Sequence, residues 1–472
     1  MTRWRSRRRA PRALAAAAIV AAAALACPAP AAAHTGLRAS SPRANETVAD
    51  SIGRIRLEFT GRVDPGMTSL VLVSGADTVA SGRMVEVPES GGRAFVFPLT
   101  GLLPPGPCTA TWRTAARDGH IVRGILHFTV VRTQPSVTAL ASPIAQPNDD
   151  ADERGEAAED LAQWSDPSST FSVLVRWAGL MALLGMIGAA AFDRFVLRRL
   201  RVDPAMERVV DRAASRAWRL AAVAAALSAA TLLARLWLQS VALNGAADAF
   251  DREALDALLT GTVWGTGWTL QAVATVAFFI ALMVSRAPRG RSVGWIGAAV
   301  AALLLAAVPA LSGHAAAVEG WTALAFASDW VHVLGAGAWV GTLATLVLAG
   351  LPAAASTSDG ERTGAFAVMV RAFSPVALTG AALAAGTGII NSLFHLSAFP
   401  QLWETAYGRM LLLKLALLAV VAWLGFYNWR YVLPALHAPT SPARLRRSAG
   451  VELAAGVAVI LATAILIALP PP

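Results

Sequence analysis

The sequence predicts a chain in two parts: an all-β domain, a small sandwich or barrel, followed by an all-α bundle of eight membrane-spanning helices. Three observations carry this expectation. Short bursts of alternating apolar and polar residues, broken by Pro, Gly, Asn and Asp, run from His34 to about Val131, as in a compact β-domain. After Asp166 the apolar residues gather into repeated runs of about 20, the length a helix needs to cross a bilayer. Of the 472 residues, 56% are apolar and only 15% charged, which places most of the chain in a membrane.

The elements follow in order. Arg3, Arg5, Arg7, Arg8, Arg9 and Arg12 form a basic n-region, residues 13–26 an apolar h-region, and Ala31-Ala32-Ala33 a small-residue cleavage site. Residues 1–33 therefore read as a secretory leader, and cleavage after Ala33 makes His34 the first residue of the mature chain. Ala24-Leu25-Ala26-Cys27 loosely resembles a lipoprotein cleavage site with Ala where Leu is usual, so cleavage before Cys27 stands as the alternative. An uncleaved anchor is disfavoured by the short h-region. Cys27 and Cys108 are the only cysteines; with the leader removed, no internal disulfide can form.

The β-domain spans 34–132, with its clearest strands at 54–59, 69–73, 94–97 and 124–130. Residues 133–168, rich in Pro, Ala and acid, form a solvated linker that cannot bury a core. Within 169–470 eight apolar spans lie near 170–192, 218–239, 264–285, 293–312, 324–349, 373–396, 408–428 and 448–469.

A cleaved leader puts the β-domain outside the cytoplasmic membrane and sends the first span inward. Charge agrees: Arg198, Arg199, Arg201, Arg208, Arg212 and Arg216 fall in the first inner loop, Arg286, Arg289 and Arg291 in the second, and Arg444, Arg446 and Arg447 in the last. The outer loop with Asp248, Asp251, Glu253 and Asp256 is acidic, and the arginines on the inner side follow the positive-inside rule. The net charge of +10 is thus explained by orientation in the bilayer, and the arginines lack the aromatic partners of a nucleic-acid surface.

The candidate chemistry rests on seven histidines. His314, His332 and His395 are expected at or near the outer ends of spans four, five and six, where polar groups face the bundle interior or a cavity. Asp329 and His332, three apart, share a helix face, so the carboxylate either orients the imidazole or is a ligand itself. Met181, Met186, Met283 and Met410 lie within spans and are read first as packing residues. In the β-domain, Asp118 and His120 point the same way on an extended segment. An amino-terminal His34 chelates a metal through its amine and imidazole nitrogens, and beside the Asp118 carboxylate such a nitrogen–oxygen set suits tetragonal Cu(II). His127 alternates with inward-facing Leu126 and Phe128 and is expected to face solvent.

These residues resemble a known pairing of families. His34, Ser40-Ser41-Pro42, Leu57-Glu58-Phe59, Trp112-Arg113, Asp118-Gly119-His120 and the Gly124–Val130 strand resemble the copper-binding CopC domain. Ser312-Gly313-His314, the Asp329–Gly341 segment DWVHVLGAGAWVG, Arg371-Ala372-Phe373-Ser374, Tyr407-Gly408-Arg409 with Lys414, and Glu452 resemble CopD, an eight-helix copper-resistance or copper-uptake protein. The resemblance implies a Greek-key (cupredoxin/Ig-like) β-domain with a Cu(II) site made by His34, Asp118 and His120. The methionine-rich Cu(I) loop of some CopC domains is missing, since the domain holds only Met67 and Met84. Gly61 replaces an acidic residue of the family, and Cys108 stands where Tyr is usual and is expected to face the core.

Together these readings predict a multi-pass protein of the plasma membrane, not an enzyme. An extracytoplasmic domain captures Cu(II), and a bundle site of His314, Asp329, His332 and His395 takes copper as Cu(I) or Cu(II) for transport, in the inward direction, or for resistance. Its partners are the copper ion, the lipid bilayer and an extracytoplasmic copper chaperone or cuproenzyme; nucleic acid is excluded. Two rivals belong to other classes: a copper storage and delivery module without transport, and a haem-bearing membrane oxidoreductase, which needs histidines paired across helices.

Overall fold

The computed structural model describes residues 36–75, 77–116, 121–132, 169–245, 249–312, 321–357, 359–396, 398–432 and 441–469. The leader, the linker, His34, Asp118, His120 and His314 lie outside them.

Alternation of apolar and polar residues builds the β-domain. In β3 (Arg54–Phe59) Ile55, Leu57 and Phe59 are buried, while Arg54 and Arg56 point out. It lies between β1 (Leu37–Ser41) and β7 (Ala94–Pro98), with β6 (Val85–Glu86) beyond β7. The second sheet orders β2 (Thr47–Ala49), β9 (Ile121–Val131), β8 (Gly106–Ala115), β4 (Ser69–Ser74) and β5 (Asp77–Arg83). The chain crosses between the sheets after β1, β2, β3, β5 and β7, giving a Greek-key sandwich closed over Phe59, Leu70, Leu72, Phe95, Trp112, Leu126 and Phe128. Cys108 is buried in that core and His127 is exposed, as their alternation predicts.

Trp112 stands opposite Gly124 in the β8–β9 ladder and packs edge-to-face on Phe59, ring centroids 5.4 Å apart. A Cβ on Gly124 would lie 2.3 Å from Trp112 Cζ2, so the indole takes the place of a cross-strand side chain.

The second half holds α1 (Thr170–Leu200), α2 (Pro204–Asn244), the short α3 (Arg252–Thr260), α4 (Val263–Val284), α5 (Arg291–Ser312), α6 (Thr322–Ala354), α7 (Asp359–His395), α8 (Ala406–Tyr427) and α9 (Ser441–Ala468). All except α3 are long and apolar enough to cross a membrane, and these eight correspond to the eight expected spans. Several arginines expected in loops lie on helices: Arg198 and Arg199 on α1, Arg444, Arg446 and Arg447 on α9, and Arg208, Arg212 and Arg216 on α2, whose 41 residues extend about 60 Å, well past a hydrocarbon core of about 30 Å. That extension is amphipathic: Val209, Val210, Ala213, Ala214 and Ala217 are buried against Leu351, Phe366 and Met369, while Arg212 donates to Ser356 O at 2.9 Å. A hydropathy reading ends the span where arginines begin, although the helix does not.

Glycines set which helices touch. Gly188 of α1 and Gly341 of α6 meet backbone to backbone; a Cβ on Gly341 would lie 2.0 Å from Leu184 O. On the other side of α6, Gly335 faces Gly380 of α7, where a Cβ on either would come within 2.8 Å of the opposing backbone. Small residues at such contacts let helix backbones approach closely in lipid. The glycines of DWVHVLGAGAWVG thus wedge α6 between α1 and α7.

The β-domain rests on the ends of α2 and α4 where Ala242, Leu243 and Val263 lie. This is the end of the bundle away from the arginine-rich start of α2.

Candidate metal centres

Of the β-domain ligand set, His34, Asp118 and His120 lie outside the described residues, and the structure describes their flanks. Thr60 holds Gly36, its backbone N–H donating to Gly36 O at 2.8 Å and its hydroxyl accepting from Gly36 N at 2.8 Å. Ala116 bridges to Val63, and Ile121 pairs with Ala115. The two methionines of the domain are packed, Met84 in the sandwich core and Met67 against the membrane half.

In the bundle, His332 is the eleventh residue of α6, about 15 Å along the axis from its first residue. It is deeper than the outer end where the sequence places it. Its Nδ1 lies 2.9 Å from Ala384 O and 3.3 Å from Thr387 Oγ1, and its ring packs over Gly388, where a Cβ would be 3.3 Å from Cε1. A carbonyl oxygen only accepts, so Nδ1 carries the proton and Nε2 keeps a lone pair suited to a metal.

One turn away, Asp329 Oδ1 accepts from Asn391 Nδ2 at 3.4 Å. Asn391 Oδ1 in turn accepts from Ser328 Oγ at 2.6 Å. Lys414 of α8 lies within electrostatic range of both Asp329 and His332. Helices α6 and α7 therefore bring together one imidazole, one carboxylate and one amide, with the Lys414 side chain of α8 within electrostatic range. Polar groups at this depth are costly and mark functional sites, and imidazole with carboxylate is a donor pair that accepts copper.

The cluster holds residues the site reading missed. Lys414 entered only through the CopD-like motif, although a lone basic residue within the apolar run of α8 was itself a signal; Ser328 and Thr387 had none. His395 is the last residue of α7, eight residues beyond Thr387 and about 12 Å further along the axis, so the backbone does not bring it level with His332. Among the described residues no three His, Cys, Asp or Glu side chains converge.

A second polar cluster lies toward the other end. Glu452 of α9 is 7% exposed. Its Oε2 accepts from Asn428 Nδ2 at 2.8 Å, and Asn428 Oδ1 accepts from Ser448 Oγ. Two further arginines sit inside the apolar spans: Arg235 donates to Gln271 Oε1 at 3.0 Å, and Arg176 to Ala464 O at 3.3 Å.

Comparison with known proteins matches three stretches of the chain. Residues 37–131 match the CopC domain, 166–324 the N-terminal domain of copper resistance protein D-like proteins, and 367–466 copper resistance protein D. The copper transport protein CutJ of Bacillus subtilis (strain 168) is 27% identical over 453 residues, which cover 93% of this chain and 75% of that protein. Among solved structures, CopC from Methylosinus trichosporium OB3b is 28% identical over 22% of this chain and 100% of its own, with a TM-score of 0.21. PcoC, a methionine-rich copper resistance protein from Escherichia coli, is 24% identical over 21% of this chain and 99% of its own, with a TM-score of 0.19.

Proposed function

The chain is a fusion of a CopC domain with a CopD-type membrane domain, and from that premise we propose that it captures Cu(II) outside the cytoplasmic membrane and carries copper inward. That it is a multi-pass membrane protein with a copper-related function follows from its families; the direction, the ligands and the path are the proposal. His34, through its amine and imidazole, with Asp118 and His120, holds Cu(II) in the β-domain. His332 and Asp329 receive copper in the bundle, with His314 and His395 as the ligands at its approach.

The observation that carries this reading is the His332 cluster. An imidazole whose Nδ1 is tied to Ala384 O presents Nε2, and a carboxylate three residues before it supplies negative charge. Copper is here the cargo, and what the chain supplies is a sequence of donors on the side where the β-domain docks. At the bundle site an arriving cation competes with Lys414 for Asp329. The likeness to a copper transport protein over nearly the whole chain supports transport over storage.

Copper uptake into vesicles bearing the purified protein tests this. Flux that falls at least tenfold in His332→Ala supports it; flux equal in the two chains leaves a storage and delivery module. An optical spectrum with a Soret band would instead establish a haem oxidoreductase.

A further inference from the structure

Arg113 and Arg123 stand directly opposite each other on β8 and β9. Like charges across a ladder destabilise an isolated sheet. Burial and then the neighbouring Arg123 charge push the Arg113 guanidinium below its ordinary pKa. Both costs have the same compensation. Arg113 Nη1 donates to Ala242 O at 3.2 Å and to Leu243 O, and Arg123 Nη2 donates to Ala242 O at 3.2 Å. These are last-turn carbonyls of α2, which lack partners within the helix and carry the negative end of its dipole.

The opposite sign is matched at the next helix. Asp64 Oδ2 accepts from the N–H of Val263, the first residue of α4, at 3.0 Å, the positive end of that dipole. Its Oδ1 accepts from Gly66 N at 3.0 Å, which holds the carboxylate in place. Between the two polar contacts Met67 and Ala115 pack with Leu258 and Trp264. A Cβ on Gly66 would lie 2.8 Å from Gly261 O, so the surfaces meet without room for a side chain.

We infer that the β-domain is a fixed cap on the membrane bundle, docked through Asp64, Arg113 and Arg123, and that copper passes from it into the bundle without the domain leaving its seat. Arg113 is a positioning residue for that transfer. The seat involves Ala115, whose strand partner is Ile121 and whose neighbour Ala116 bridges to Val63, so this end of the β8–β9 ladder is the end turned to the bundle. A shuttling domain needs no sign-matched contacts to two helix ends, and a cross-strand arginine pair would only weaken it.

This inference rests on the copper-passage reading above, and the two fail separately. In the full-length chain, Met67→Cys with Leu258→Cys, oxidised by a copper-free disulfide reagent in membranes, locks the seat; the Cu(II) electron paramagnetic resonance signal checks that capture survives. A fixed cap gives near-complete crosslinking with and without copper, and uptake by the locked protein within twofold of the reduced one. Locking that cuts uptake tenfold or more, reversed by reductant, overturns it. Crosslinking that is partial, or that copper abolishes, overturns it too, and this readout stands even where the parent chain moves no copper and the transport reading has fallen. Arg113→Ala is expected to leave the Cu(II) signal unchanged and lower uptake about tenfold at limiting copper, with partial recovery in Arg113→Lys; an unchanged uptake removes the positioning role.

Discussion

The Nδ1 atom of His332 lies 2.9 Å from the carbonyl oxygen of Ala384, 52 residues further along the chain, and that contact assigns the free nitrogen of the imidazole. With Nδ1 protonated, Nε2 is the only ring atom available to copper. His332→Ala removes the donor, while Thr387→Val removes only the weaker 3.3 Å contact to the ring, together with the hydroxyl's 2.6 Å bond to Leu383 O within the helix. Vesicle uptake is expected to fall at least tenfold in the first and less than threefold in the second. Equal losses would mean that the pair is structural.

Lys414 sits where it offsets Asp329 electrostatically. Lys414→Met keeps an unbranched apolar stem and deletes the charge, so Asp329 is left to the cargo. Copper retained by the protein after rapid desalting should increase about tenfold, equivalent to about 1.4 kcal/mol, and turnover should slow because release becomes harder. A variant with unchanged retention would place the ammonium outside the copper path.

At Gly341 the added methyl of Gly341→Ala would stand 2.0 Å from Leu184 O. The obstruction is backbone, which cannot rotate away. Overpacking of this kind costs about 1–3 kcal/mol or more, and the thermal midpoint of the detergent-solubilised protein should drop by several degrees. Gly364, with nothing within 4 Å of its would-be Cβ, is the control: Gly364→Ala should be neutral or slightly stabilising, since Ala is the better helix former.

In the β-domain Gly124→Ala would drive a methyl into the Trp112 indole at 2.3 Å. The ring is buried against Phe59 and has no open side to move to, so a loss of about 1–3 kcal/mol is expected. Hydrogen exchange of the full-length protein should show faster exchange across 106–131 and none of that change in α4. Protection equal to that of the parent chain would show that the sandwich relaxes around the methyl.

The Cu(II) site proposed on His34 depends on a free amino terminus. Mass determination of the mature protein should give a chain beginning at His34, and a single alanine inserted before it should weaken Cu(II) binding by at least tenfold. The pH dependence has a defined sign. Imidazoles, ordinarily near pKa 6.5, and an α-amine, ordinarily at about 7.7–8.0, ligate only when deprotonated, so binding strengthens as pH rises through neutrality and is lost as pH falls below about 6. A mature chain lipidated at Cys27 would remove the amine ligand.

Much of the architecture was legible locally. Strand alternation at 54–59 and 124–130 and eight apolar runs are properties of short windows, and each recurs in the fold at the expected place. The Asp329–His332 spacing likewise put two polar groups on one helix face. The start of α2 was not legible, because hydropathy measures where lipid ends and the helix continues past it on an amphipathic stripe.

The sequence by itself determined two parts, eight spans and the residue types able to hold copper. Only the tertiary structure decided which residues meet: His332 with Ala384, Asp329 with Asn391, and Arg113 of the β-domain with Ala242 of α2. These partners lie tens to more than a hundred residues apart, and no periodicity relates them. Their meeting depends on glycine contacts that choose helix neighbours, and on helix-end charges that become available only once the helices have formed.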